Sequence, residues 1–346
     1  MSNFFRTKNN IFSVNKKKYL LNFLTPASSG TNYWDSPPKS EPNKRQFARV
    51  LLQIHQLVFF MNLFKIDMRG KNFLDVGTGN GLIPRLVDEF FQVKNSYGID
   101  PYTDGEHKTS WQHHNQENFL NKIKNFFFDK KKNIFCLDYQ KYKNLLKFEQ
   151  HQFKSHQIKI KKIKRKSTYK FKKISIDRAY KLNTKFDFIY CKAFEHINNI
   201  EDFLLNVSKN LNKGGIFYLK HRSFFSYLGA HRYSSTSIPW GHVLLKEKEY
   251  KNYCNKFHKS RSKEMIKFYY NDLTYPRVTI SDIVKASSRR GLNSKCIIYE
   301  QNIYQNQINR YIPSIKNFWK IVRKNFPNLS NEELLSGMTH IILEKK

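Results

Sequence analysis

The sequence predicts an α/β fold, a largely parallel sheet with helices on both faces. Three stretches carry that expectation. Asn72–Val76 reads as a short buried strand, followed by a glycine turn, a helix over Leu82–Phe91 and a second strand over Ser96–Asp100. Phe186–Cys191, Glu201–Leu211 and Ile216–His221 repeat strand, helix and strand, with a turn at Lys213–Gly215. Ser281–Ser288, Lys295–Tyr299, Ile315–Asn325 and Thr339–Glu344 then alternate helix and strand once more.

Ahead of the first strand, Phe47, Val50, Leu51, Ile54, Leu57, Val58 and Met61 recur at helical spacing, so an amphipathic helix is expected there. Residues 24–45 are rich in Pro, Ser, Gly and Asn, and the whole of 1–45 is read as an irregular arm. Residues 46–346 then form one domain with two additions. The first, 101–169, runs into a basic stretch: ten of the twenty residues from Lys154 to Lys173 are Lys or Arg, with no acid. It reads as a solvated insertion or as a contact for an acidic surface. The second, 222–278, is rich in aromatics and histidine and follows a central strand, so it is expected to cover the substrate.

Hydrophobic residues make up 40% of the 346 and aromatics 16%, enough for a packed core. The formal charge of +35 suits nucleic acid or an acidic substrate, but lysines occur in nearly every segment, as a coding bias would spread them. Cys136, Cys191, Cys254 and Cys296 lie far apart with no CxxC pair, which fits a reducing cytoplasm and neither a disulfide framework nor a cysteine zinc site. The N-terminus lacks a signal peptide's apolar run. Leu51–Phe64 is interrupted by Gln53, His55, Gln56 and Asn62, so no membrane insertion is expected.

The most informative string is FLDVGTGNG, residues 73–81. Gly77, Gly79 and Gly81 let the chain turn sharply between strand and helix, and leave backbone N–H groups open to a ligand. A dinucleotide fingerprint would place its third glycine at position 82, which is Leu. Asp75, two residues before the first glycine, would repel a pyrophosphate but suits a cationic amino group. Both features argue against a nicotinamide enzyme. Asp100 ends the second strand 19 residues after Gly81, beside the turn, where a carboxylate can accept from both hydroxyls of a ribose.

DVGTGNG resembles motif I, DxGxGxG, of the class I S-adenosylmethionine-dependent methyltransferases (methyltransferase type 11/12-like), and residues 186–221 resemble the same family's fourth strand, helix and fifth strand. There Glu195-His196 matches its EH pair and Lys213-Gly214-Gly215 its turn; VTISDIVKASSRRGLNSKCIIYE resembles its last helix and sixth strand. The likeness covers roughly residues 70–100 and 170–345. It implies a Rossmann-like, doubly wound, mostly parallel seven-stranded sheet and S-adenosyl-L-methionine as cofactor. The cofactor residues it implies are Asp75, Gly77, Thr78, Gly79, Gly81, Asp100 and Cys191, with Asp177 and Arg178 (or the backbone of Ala179) at the adenine. Asp138 competes with Asp177 for that place. Some relatives hold a divalent metal through ExxEH; here Lys192 stands at the first position, so no catalytic metal is expected. His196 reads as a helix-start packing residue or as a neighbour of the methyl acceptor.

The acceptor end is expected within residues 221–245, where His221, Arg222, His231, Arg232, Tyr233, Trp240 and His242 could form a basic, aromatic pocket. His231 or His242 could serve as a general base, because imidazole titrates near neutrality. The expected activity is methyl transfer to a small-molecule acceptor. A nucleic-acid methyltransferase using the basic insertion, and a non-catalytic binding protein keeping the fold, are the alternatives. Neither the acceptor nor the oligomeric state is specified by the sequence.

Overall fold

The computed structural model describes residues 4–8, 10–13, 44–79, 81–101, 116–138, 157–161, 166–227, 229, 238–258, 262–267, 269–270, 277–301 and 305–346. Its strands are β1 (Phe4–Arg6), β2 (Ile11–Ser13), β3 (Asn72–Val76), β4 (Asn95–Ile99), β5 (Phe128–Asp129), β6 (Ile134–Asp138), β7 (Gln157–Lys161), β8 (Tyr169–Lys172), β9 (Phe186–Cys191), β10 (Leu211–His221), β11 (Leu292–Gln301) and β12 (Ser336–Lys345). The helices are α1 (Lys44–Leu63), α2 (Leu82–Phe91), α3 (Gln116–Phe127), α4 (Ile200–Asn210), α5 (Gly241–Leu244), α6 (Glu247–His258), α7 (Ser262–Lys267), α8 (Ile280–Arg289), α9 (Gln305–Tyr311), α10 (Phe318–Asn325) and α11 (Asn331–Leu335).

Seven strands form the central sheet in the order β11-β12-β10-β9-β3-β4-β8. The run from β10 to β8 is parallel, and β12 lies antiparallel to both of its neighbours. Alternation along the strands splits the core in two. Phe73, Phe188, Tyr190, Tyr218 and Ile342 face α1, α2 and α3. Leu74, Val76, Ile189, Cys191, Phe217, Leu219 and Ile341 face α4 and α8. Local chemistry fixes the ends. Asp187, at the start of β9, accepts from Asn72 N at 2.8 Å and from Asn212 Nδ2 at 2.9 Å, joining the N-terminal ends of β3, β9 and β10. Asn199 caps α4, and Thr279 with Asp282 forms a capping box on α8.

Two expectations are corrected. Residues 4–13 are not irregular: β1 and β2 pair as a hairpin whose inward residues, Phe5 and Phe12, are buried, with Phe5 edge-on to Tyr253 at 5.6 Å. The insertion is not merely solvated either. It supplies α3 and a separate antiparallel sheet, β5-β6-β7, whose Leu120, Ile123, Phe127 and Phe135 join the core on α2's side. It also leads into the third parallel strand, β8. Asp88 of α2 anchors that approach by accepting from Ser167 Oγ (2.7 Å), Thr168 N (2.9 Å) and Thr168 Oγ1 (2.7 Å).

A third apolar cluster joins the hairpin, Phe224–Tyr227, α5, α6, Met265, Tyr269, α10 and Leu334. Glu333 ties it to the sheet. Its carboxylate accepts from Ser223 Oγ, just past β10, at 2.5 Å and from Ile280 N, at the start of α8, at 2.9 Å. On the other face a buried polar chain fastens α1. Lys220 Nζ donates to Gln56 Oε1 (2.5 Å), and Gln56 Nε2 donates to Glu300 Oε1 (2.7 Å). His340 bridges Glu300 and the Tyr218 hydroxyl at 2.7 Å on each side. Among the described residues no helix is long and apolar enough to cross a membrane.

Candidate functional site

Parallel strands deliver their carboxyl ends to one edge of the sheet, and the turn after β3 opens there. Gly77, Gly79 and Gly81 have φ of 70°, 56° and 71°, the left-handed region that glycine enters without a Cβ clash. Two of them also allow close approach. A Cβ on Gly77 would lie 2.5 Å from the Cβ of Ala193, and one on Gly81 would lie 2.0 Å from the Tyr169 hydroxyl. Among the described residues nothing lies within 4 Å of such a Cβ on Gly79.

Three of the expected polar residues meet here. Asp75 is buried and accepts from Thr78 Oγ1 at 2.7 Å. Burial, and to a lesser degree the neighbouring Asp100, push its carboxyl up to about 7 against the lowering influence of Thr78 and Lys192. Asp100 is buried at the end of β4 and accepts from Gly79 N at 3.0 Å, so its carboxylate holds the turn as well as lining it. The backbone N–H groups of Gly77 and Thr78 both donate to Ile99 O, at 2.9 and 3.1 Å.

The other positions are more scattered. Cys191 is buried on the α4 face, and burial raises its thiol, so only its backbone reaches the strand end beside Gly77. β8 is the strand next to β4, and Asp177 follows it on an exposed 3-10 turn, Ile176–Leu182, with its carboxylate bonded to the Ser175 hydroxyl. Arg178 is exposed on the same turn. Asp138 ends β6, in the separate three-stranded sheet rather than in the central one.

In the stretch expected to meet the acceptor, His221 closes β10 opposite Thr339, under Phe194, with ring centroids 5.2 Å apart. Among the described residues neither ring nitrogen of His221 has a hydrogen-bond partner, and burial pushes its pKa down to about 3. His242 sits in the third cluster, edge-on to Phe224 at 5.1 Å, and burial pushes it down to about 4. It is therefore neutral at physiological pH and a weak base in this state. Trp240 is buried and donates to Leu334 O at 3.1 Å, a packing role. Glu195 and His196 lie on the short turn Phe194–His196. His231, Arg232 and Tyr233 lie outside the described residues. No group of three His, Cys, Asp or Glu suited to a metal occurs among the described residues.

Two neighbours of the turn escaped the sequence reading. Tyr169 packs against Gly81 and Arg85, and Tyr190 pairs in register with Asp75. Alternation along β9 puts Tyr190 on the face of Phe188, and the register of β9 with β3 puts Asp75 on that face too.

A family described as a methyltransferase domain matches residues 45–257, more than half of the chain and all of this turn. The chain belongs to the methyltransferase-domain family. Several solved structures resemble this methyltransferase chain distantly. Magnesium protoporphyrin IX methyltransferase from Synechocystis PCC 6803 is 8% identical, covers 95% of this chain and 100% of its own, and gives a TM-score of 0.41. A cyclopropane synthase from Mycobacterium tuberculosis is 13% identical over 96% of this chain and 100% of its own, with a TM-score of 0.42. An S-adenosylmethionine dependent methyltransferase from Mesorhizobium loti is 11% identical over 85% of this chain and 100% of its own, also at 0.42. Likeness this remote says nothing about substrates. A comparison with curated proteins gave no match.

Membership makes S-adenosylmethionine the cofactor against which the methyltransferase site is tested. Its residues fit. A buried carboxyl raised by desolvation suits an ammonium group, a strand-end carboxylate suits a ribose, and an open glycine turn admits both.

Proposed function

We propose that this methyltransferase moves the methyl group of S-adenosylmethionine to a small-molecule acceptor in the cytoplasm. The observation that carries the reading is the convergence of Asp75, Asp100 and the Gly77–Gly81 turn at the carboxyl edge of the sheet. Four cysteines without a disulfide support the compartment.

When bound, the cofactor supplies a methyl group already activated on a sulfonium. What remains for the chain is to hold donor and acceptor in line and keep water out, which is worth about 7–11 kcal/mol in favourable cases. Asp75 would hold the amino group of the methionine moiety and Asp100 the ribose hydroxyls, with the turn at Gly77, Thr78, Gly79 and Gly81 against the ligand. Asp177 and Arg178 would flank the adenine. Phe194, His221, Phe224–Tyr227 and Ile238–Leu245 would enclose the acceptor. With His221 and His242 both neutral, a protonated acceptor would hand its proton to an imidazole only if binding raised that group's basicity.

Calorimetry with S-adenosylmethionine tests the cofactor half: micromolar binding is expected (about −8 kcal/mol), lost in Asp100→Ala. No binding by the unaltered chain would defeat the reading. Transfer of a labelled methyl group into metabolite pools, but not into RNA, tests the acceptor half.

A further inference from the structure

Arg277 precedes α8 by three residues and has no task in the account above. It is exposed, yet three aromatic rings hold its guanidinium in place. Its Cζ lies 4.8 Å from the ring centroid of Tyr269, 5.3 Å from that of Tyr270 and 5.4 Å from that of Phe224, all within cation–π range. The rings are themselves fixed. Tyr269 stacks on the buried Tyr250 at 4.3 Å and meets Tyr270 edge-on at 4.7 Å.

Aromatic rings engage the face of a guanidinium and leave its edge of N–H donors for other partners. Among the described residues none of the Arg277 donors has a hydrogen bond or an ion pair. The carboxylates on the neighbouring elements are committed elsewhere. Asp282 bonds Thr279, Glu333 bonds Ser223 and Ile280 N, and Glu247 pairs with Lys251 at 2.6 Å. An exposed arginine held in this way differs from the many lysines of the surface. Its planar donors are already aligned for two parallel N–H···O bonds, so little rotamer entropy is lost when an anion arrives.

Its position in the fold is informative too. Phe224 follows the end of β10 by three residues, and Glu333 joins Ser223 to the first residue of α8. Arg277 and Phe224 therefore stand at the carboxyl edge of the sheet, the edge that carries the Gly77–Gly81 turn. We propose that Arg277, braced by Phe224, Tyr269 and Tyr270, binds an anionic group of the acceptor, a carboxylate or a phosphate. The inference rests on the methyltransferase reading above and names the chemical class of its acceptor: a small acid.

The test titrates the full chain, with S-adenosylhomocysteine present, with benzoate, phenyl phosphate and neutral benzamide, followed by ligand-observed NMR. Benzoate or phenyl phosphate is expected to bind in the millimolar range, and benzamide about tenfold more weakly. Whichever anion binds tighter tells carboxylate from phosphate. Arg277→Gln is expected to lose about tenfold for the anions and nothing for benzamide. Arg277→Lys, which keeps the charge but not the paired donors, is expected to recover only part of that loss. No binding of either anion, equal binding in Arg277→Gln, or full recovery in Arg277→Lys overturns the proposal, the last by assigning the anion to general surface charge. Should Arg277→Gln fail to fold, Arg277→Lys against the unaltered chain decides on the same terms. Calorimetry with S-adenosylmethionine separates the two readings: a chain that binds the cofactor but no anion refutes only this one, and a chain that binds no cofactor refutes the reading beneath it.

Discussion

Asp75 is held at a cost that the structure makes measurable. Its folded pKa, about 7, lies above the value of 3.8 for a free carboxyl, and burial is the main cause. Between those values the folded chain binds a proton that the unfolded chain has released, so this group's contribution falls as pH rises through about 4 to 7. Asp75→Asn is therefore expected to stabilise the ligand-free protein above pH 7 by on the order of 2–4 kcal/mol, with no gain near pH 4, while losing S-adenosylmethionine affinity. Denaturant unfolding across pH and calorimetry check the two halves; a variant that is less stable at pH 8 would contradict the first. The glycines of the turn differ among themselves in a testable way. Gly79→Ala meets no atom and should lose only the left-handed backbone term, about 1–2 kcal/mol. Gly77→Ala adds a 2.5 Å clash with Ala193 and should cost clearly more in thermal unfolding. Gly81→Ala clashes with the Tyr169 hydroxyl, so Tyr169→Phe in the same chain should recover part of the loss.

At the scale of elements, the entry into β8 is anchored by one carboxylate, while the strand itself is paired to β4. Asp88→Ala removes the acceptor for three hydrogen bonds from Ser167 and Thr168 and is expected to cost about 3 kcal/mol. Hydrogen exchange should show the loosening first at residues 166–172. That strand was illegible in the sequence because its inward residues, Tyr169 and Phe171, alternate with lysines inside a basic run. The β1–β2 hairpin was hidden for a related reason: three-residue strands carry too little pattern, and Phe5 and Phe12 are buried only against a cluster assembled from distant segments. β3, β4, β9, α2, α4 and the glycine turn were legible because neighbouring residues determine them. The placement of Asp75 and Asp100 beside the turn followed, since both are fixed by where their strands stop. The states of His221, His242 and Tyr190 did not, because they come from burial, which no local spacing records.

At the scale of the whole molecule, the formal charge of +35 has its own expected outcome. RNA should bind this surface without sequence preference and be released between roughly 50 and 200 mM salt. Methyl transfer to the small acceptor should persist at the higher salt. Retention of RNA at high salt, with label entering it, would favour a nucleic-acid substrate instead.

The order in which the sheet is assembled carries one more consequence. β12 comes last in the chain order of the strands, yet it lies between β11 and β10 and supplies hydrogen bonds to both. Until Ser336–Lys345 has been synthesised, β10 presents an open edge, and Phe217, Leu219 and Ile297 lack the Ile341 and Leu343 that pair beside them. The core therefore cannot be completed before β12 has been made. A version stopped before Ser336 would emerge from the ribosome as a client for chaperones and proteases rather than as a shortened enzyme.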